Sequence, residues 1–188
     1  MGGKIGMDPQ GQPRIPVWRI LGWGSAVALI LAPLVAMQFT SDVQWNQTDF
    51  IIATVIFGII GALVELTVLL TANPFARAGG FLTILAGFMV VWANLSVGMI
   101  GDAGNPANLL FGVVLLIAVA GAWLSMLDRL ILPTFMLAAG VTQFAIGLFA
   151  GILGSDFRGG LFTILLSTLW WLASVFFAIA GRSQRASV

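Results

Sequence analysis

The chain has 188 residues, of which 60% are hydrophobic and only 8% are charged, and its mean hydropathy is +1.06. Soluble domains carry about 25% charged residues, so this composition predicts an all-α protein that crosses a membrane several times and has the lipid bilayer as its main partner. The net charge of +1 makes nucleic acid a poor partner, and the lack of Cys and His excludes disulfides, thiolate or imidazole metal sites and Ser-His-Asp catalysis.

The first predicted span is Val17–Phe39. A helix needs about 20 mostly apolar residues to cross a bilayer core of about 30 Å, and this run is long enough for one crossing. Residues 1–16, which precede it, are rich in Gly and Pro, and we predict that they form a disordered cytoplasmic N-terminus. Pro33 lies inside the span and predicts a kink there.

The second predicted span, Phe50–Thr71, carries the only acidic residue deep in a span, Glu65. Thr54, Gly58 and Gly61 precede Glu65 by 11, 7 and 4 residues, so all four share one helix face. Intramembrane carboxylates are candidates for functional sites, since a charge there costs several kcal/mol. The sequence therefore predicts that Glu65 points toward other helices and is a candidate intramembrane polar site.

The third predicted span, Phe81–Gly101, repeats this pattern around Asn94. The residues that share its face are small or polar, namely Thr83, Gly87, Gly98 and Gly101. Two such stripes on consecutive helices predict that the second and third spans pack on each other. Asn94 is the second candidate polar residue, about 11 Å from Glu65 in depth at the helical rise.

The fourth predicted span, Ala107–Leu127, follows the triplet Asn105-Pro106-Ala107, which also occurs in aquaporins. An aquaporin triplet requires loops that enter and leave the membrane, and the five-residue connection at 102–106 is too short for that. The better interpretation is that Asn105 caps the helix and Pro106 takes its first position, where a missing N–H is harmless.

The fifth and sixth predicted spans are Ile131–Gly154 and Leu161–Ala180, which complete a six-span domain over 17–180 ahead of a cytoplasmic tail at 181–188. The fifth contains the pair Gly147-x-x-x-Gly151, which indicates either packing within the bundle or a dimerisation stripe. Three tryptophans lie near the middle of their spans and either fill the core or surround a ligand: Trp92, Trp170 and Trp171.

The basic residues predict the orientation of the six spans. Six crossings place both termini and the second and fourth loops on one side, and that side carries Lys4, Arg14, Arg19, Arg77, Arg129, Arg182 and Arg185, whereas the other carries only Arg158. Because cytoplasmic loops are enriched in Lys and Arg, the N- and C-termini are predicted to be cytoplasmic.

Two segments resemble a group of small, uncharacterised bacterial inner-membrane proteins. The matching positions are Pro33 to Thr40 with Trp45, Asp49, Phe50 and Glu65, and then Trp92 to Gly101 with Asn105 to Leu109. The likeness covers roughly the first four spans. It implies a bacterial inner-membrane location and no particular activity.

The sequence leaves two functions open. One is a non-enzymatic membrane subunit or helix-packing partner, within a homo-oligomer or a larger membrane complex, in which Glu65 and the Gly stripes serve helix association. The other is a small transporter or an ion or proton pathway that uses Glu65. We expect no enzymatic activity and no cofactor, because intramembrane serine proteases need a His and intramembrane aspartyl proteases need two mid-span Asp residues.

Overall fold

The computed structural model describes residues 16–154 and 156–185, and this part of the chain is helical without a β-strand. Its six long helices are α1 (Val17–Ala36), α2 (Gln47–Leu70), α3 (Pro74–Ser96), α4 (Leu110–Leu124), α5 (Leu132–Ile152) and α6 (Phe157–Arg185). All six, α4 together with a short 3₁₀ turn at Pro106–Leu109, are long and apolar enough to span a membrane. The prediction of an all-α protein with six candidate spans is confirmed.

Helix α3 differs most from its predicted bounds. It begins at Pro74, seven residues before the predicted start, because the Asn73 side chain accepts hydrogen bonds from the backbone N–H groups of Phe75 (2.9 Å) and Ala76 (3.2 Å). It ends at Ser96 and not at Gly101, because the chain turns at Gly98 (φ 80°) and Gly101 (φ 66°), a backbone region that favours glycine. The predicted placement of these two glycines on the helical face of Asn94 is therefore wrong.

The fourth span begins as the sequence predicts. The Asn105 side chain accepts a hydrogen bond from the N–H of Ala107 (3.0 Å), and Pro106 takes the first position of the 3₁₀ turn that leads into α4. The sixth helix is longer than predicted, since it starts at Phe157 and continues through Arg185, so the beginning of the predicted tail is helical. Most of the predicted disordered N-terminus (residues 1–15) and the end of the tail (186–188) lie outside the described residues.

The chain divides into two compact units, Met1–Ala62 and Leu63–Val188. In the first unit, Gly61 of α2 lies against the indole ring of Trp23 of α1. The start of α2 is a capping box, in which Asn46 Oδ1 accepts from the N–H of Thr48 (2.7 Å) and Asp49 Oδ2 accepts from the N–H of Asn46 (2.8 Å).

In the second unit, α5 and α6 form the central helix pair. Helix α3 packs on α6 and α4 packs on α5, whereas α3 and α4 contact each other over only a few residues. The fully buried side chains between these four helices include Val90, Phe111, Val114, Met136 and Trp170.

Candidate intramembrane polar site

The structure places the two candidate residues closer to helix ends than the sequence predicts. Glu65 lies five residues before the end of α2, about 7.5 Å from that end at 1.5 Å per residue, and its side chain is half-buried. Asn94 lies two residues before the end of α3, at the end of that helix away from its connection to α2. The structure therefore does not bring Glu65 and Asn94 together.

Each of the two small-residue stripes has a neighbour within its own unit. Gly61 of the α2 stripe meets Trp23 of α1, and the nearest side chain to Gly87 of the α3 stripe belongs to Leu115 of α4. At the connection between α2 and α3, Gly80 lies against the Thr67 side chain. Helical periodicity shows which helix faces carry small residues, but it does not show which neighbouring helix each face contacts.

Within the described part of the chain, the side-chain amide of Asn94 has a hydrogen-bond partner for its nitrogen but none for its oxygen. Its Nδ2 donates to the Val90 carbonyl one turn earlier (2.8 Å), while its Oδ1 is buried and has no hydrogen-bond partner among the described residues. Asn94 also lines a groove of about 250 Å³ between α3 and α4. The amide therefore sits beside an opening in the bundle, with the acceptor turned into the protein.

The largest of the fully buried polar side chains among the described residues is Gln143 of α5, which is 0% exposed. Its Oε1 accepts a hydrogen bond from Trp170 Nε1 (2.8 Å), and its Nε2 donates to the Thr163 carbonyl (3.2 Å). Both partners belong to α6, so one amide joins the central helix pair at two points. Gln143 is visible in the sequence as a polar residue in a span, but its helix face has no polar periodicity that indicates this role.

A second polar link between α5 and α6 lies near the start of α5. The Ser174 hydroxyl of α6 donates to the Pro133 carbonyl of α5 (2.7 Å). Deeper in the interface, Ser167 of α6 is 0% exposed and donates to the Ile164 carbonyl of its own helix (2.6 Å). These two hydroxyl groups donate to backbone carbonyls inside the bundle, whereas the buried Thr163 hydroxyl of α6 has no partner among the described residues.

The mid-span tryptophans pack against other helices and aromatic rings. Trp170 is 1% exposed and pairs with Gln143, as core filling predicts. Trp171 lies over Gly140 of α5 and contacts the Phe144 ring at a centroid distance of 5.6 Å. Trp92 contacts Phe88 of its own helix at 5.7 Å. Trp170 and Trp171 thus fill the α5–α6 contact.

The Gly147-x-x-x-Gly151 pair packs inside the bundle. A Cβ at Gly147 would lie 2.8 Å from the Gly160 carbonyl oxygen, and a Cβ at Gly160 would lie 2.6 Å from the Gly151 backbone nitrogen. The three glycines let the backbones of α5 and α6 approach closely, which is how small residues act in membrane helices. Of the two interpretations of this pair, packing within one bundle is the one the structure favours.

At the end of the bundle where α3 meets α4, Asn108 organises the connecting loop. Asn108 Oδ1 accepts from the N–H groups of Met99 (3.1 Å) and Ile100 (2.9 Å), and Nδ2 donates to the carbonyls of Ile100 (3.2 Å) and Asp102 (2.8 Å). Met99 and Ile100 are buried beneath these bonds. One side chain therefore fixes a loop that carries two glycines in left-handed conformations.

Asp156 ties the same loop to α6. Its Oδ2 accepts from the Gly101 N–H (2.7 Å), and its Oδ1 accepts from the Gly159 N–H in the first turn of α6 (2.9 Å). These two hydrogen bonds, that to Gly101 above all, hold the pKa of the Asp156 carboxyl below its ordinary value of 3.8. The bond to Gly159 is an ordinary helix cap, which an Asp just before a helix start indicates in the sequence, whereas the bond to Gly101 has no such local signal.

Arg77 is one of the basic residues that predict the topology. Its side chain also caps the C-terminal end of α2. Its Nε donates to the Thr71 carbonyl (2.8 Å) and its Nη2 donates to the Val68 carbonyl (3.2 Å). A cation at the C-terminal end of a helix satisfies orphan carbonyls and complements the helix dipole. Arg77 is therefore a helix cap supplied by the next helix.

Comparison with known proteins gives no relative for this chain: no protein-family model, no curated protein and no solved structure matches it. Among the described residues, there is no group of three or more carboxylates that could hold a metal ion. The polar contacts between helices in the described part of the chain are hydrogen bonds, such as those of Gln143 and Ser174.

Proposed function

We propose that this protein is a non-enzymatic, multi-pass subunit or helix-packing partner of a bacterial inner membrane, with both termini in the cytoplasm. One observation carries the proposal: Gln143, the largest fully buried polar side chain of the described residues, uses both the oxygen and the nitrogen of its amide to join α5 to α6. Bacterial origin and orientation rest on the sequence resemblance and on the distribution of basic residues.

The geometry of the loops supports a role inside the bilayer. When the short 3₁₀ turns are counted as helix, the longest connection between consecutive helices is Met37–Asn46, ten residues, and the others are shorter. Over the described residues, the surface is formed mainly by apolar helix faces, such as those that expose Leu116, Val119 and Trp123 on α4. A partner of this protein therefore meets it chiefly through helix faces in lipid, where small residues and hydrogen bonds decide association.

The direct test is the mass of the particle in its own membrane. We would extract the tagged protein from bacterial inner membrane into native nanodiscs at low and high expression, and measure its mass and composition. The proposal predicts a companion of fixed stoichiometry, either further 19.9 kDa copies or another membrane protein, at both levels. A particle that contains one copy and lipid at both levels would contradict it.

A second candidate function follows from Glu65, a half-buried carboxylate in the interior of an apolar spanning helix. Intramembrane carboxylates occur on ion and proton pathways. The test is ion and proton flux in reconstituted vesicles for wild type, Glu65→Gln and the control Asp102→Asn, a carboxylate in an exposed loop. Flux that Glu65→Gln abolishes and Asp102→Asn keeps would establish a pathway; equal silence of all three would exclude it.

A further inference from the structure

The α3–α4 connection bridges two helices that otherwise pack on different neighbours. Helix α3 lies on α6 and α4 lies on α5, with little direct contact between α3 and α4. The groove of about 250 Å³ separates them on the same side as the loop, and its lining includes Val90, Asn94, Asn108, Phe111 and Gly112. The width of this groove therefore depends on how firmly the loop holds the ends of the two helices.

Two side chains hold that loop, and they come from different helices. Asn108 belongs to the 3₁₀ turn before α4, and its side chain makes four hydrogen bonds to the loop. Asp156 precedes α6 and accepts a hydrogen bond from the Gly101 N–H of the loop. The loop also lies close to the first turn of α6, since a Cβ at Gly159 would be 2.6 Å from the Met99 carbonyl oxygen. Besides the buried side chains of Met99 and Ile100, the loop is thus held to the start of α4 by Asn108 and to the start of α6 by the Asp156 carboxylate.

We propose that Asp156 is a latch that keeps the α3–α4 groove at its present width. While its carboxylate accepts the Gly101 N–H, the loop and the adjoining ends of α3 and α4 stay against the first turn of α6. When that bond is lost, Asn108 still holds the loop to α4, so the loop moves with α4 away from α6 and the groove beside Asn94 widens.

The pH range over which the latch holds depends on the titration of Asp156 and on the charged groups near it. Asp102, in the loop, bonds the Gly104 N–H (2.9 Å) within its own turn, and Arg158 follows in the first turn of α6. The described parts of α5 packed there carry no titratable group. Because the pKa of Asp156 is lowered in the folded protein, its contribution to stability is present above the ordinary value of 3.8 and is lost as pH falls through the lower folded pKa. The latch is therefore closed at neutral pH and opens only in strong acid.

The first test measures release of the loop. The chain has no Cys, so Met99→Cys places a single thiol on a loop residue that is 2% exposed. We expect a water-soluble maleimide to label this thiol at least tenfold faster in the Asp156→Asn background, a factor that corresponds to about 1.4 kcal/mol. The matched control, Asp102→Asn, removes a carboxylate of the same loop that bonds only locally and should leave the rate unchanged. Equal rates in all three backgrounds would overturn the proposal.

The second test measures the groove itself. Spin labels on Leu95→Cys and Leu109→Cys, two exposed positions on opposite sides of the groove, report its width. The latch predicts a longer or broader distance distribution in Asp156→Asn than in wild type or Asp102→Asn. Unchanged distributions would overturn the claim that the latch controls the groove.

If Asp156→Asn fails to fold, hydrogen exchange of the wild-type Gly101 amide decides the matter. Its protection, corrected for the intrinsic rate, should be constant between pH 7 and 5 and should fall below pH 3.8. Constant protection down to pH 2.5 in folded protein would show that the carboxylate does not hold the loop.

Discussion

The indole Nε1 of Trp170 donates a 2.8 Å hydrogen bond to Oε1 of Gln143, and the two side chains are 1% and 0% exposed. A mid-membrane indole and a mid-membrane amide each carry a desolvation cost that is relieved only by a partner. Each is the other's partner, and the pair joins the two most extensively packed helices of the bundle. Two polar residues that could have marked a ligand site are thereby accounted for by helix association.

This pair predicts an energetic coupling. Replacing Gln143 with Leu leaves the Trp170 N–H unpaired and should cost about 1–3 kcal/mol. In a double-mutant cycle with Trp170→Phe, the coupling should be about 0.6–1.7 kcal/mol, the range seen for hydrogen bonds between membrane helices. Reversible unfolding in mixed micelles measures both. The control Thr168→Val, at an exposed position, should be close to neutral; a coupling of zero would show that the bond is not formed.

The glycine pair of α5 predicts a stability defect and not an assembly defect. A methyl group at Gly147 meets the Gly160 backbone, so Gly147→Ala should destabilise the protein by about 1–3 kcal/mol through overpacking. Gly112→Ala is the matched control, since a Cβ there meets nothing within 4 Å and the helix gains up to about 1 kcal/mol of propensity. The free energy of unfolding measures the stability defect, and the mass of the particle measures any change in assembly. Gly147→Ala that leaves stability unchanged but alters the oligomeric state would revive the dimerisation interpretation.

The two asparagines of the α3–α4 connection should differ in importance. Asn105 makes one capping bond, so Asn105→Ala should cost about 1 kcal/mol or less. Asn108 makes four hydrogen bonds to the loop, and Asn108→Ala should cost about 2 kcal/mol or more, because it strands buried backbone groups. Free energies of unfolding of the two variants test this ranking; the reverse order would contradict the role assigned to Asn108.

The cap that Arg77 places on α2 can be tested by a substitution that keeps its positive charge. Arg77→Lys keeps the positive charge that favours a cytoplasmic loop but cannot reproduce two bonds from a guanidinium fork. We expect a loss of about 1 kcal/mol in stability with unaltered topology. The exposed Arg182→Lys is the control and should be neutral. If the two variants are equally stable, the cap contributes nothing.

The number of helices and most of their positions follow from apolar run lengths, which is why the six candidate spans were predictable. The predicted start of α3 lies seven residues too late, because the length of an apolar run does not register the helix cap that Asn73 and Pro74 form. The roles of Gln143 and Asp156 could not be predicted. Their partners, Trp170 and Gly101, are 27 and 55 residues away, and only tertiary packing brings them within hydrogen-bonding distance.

Topology tests the central claim most directly, because a six-span subunit with short loops requires both termini on one side of the membrane. A reporter that is active only in the cytoplasm would be fused after Val188, within Thr40–Asp49 and within Asp102–Pro106. The account predicts activity after Val188 and silence at both loops. Activity within Thr40–Asp49, or silence after Val188, would contradict it.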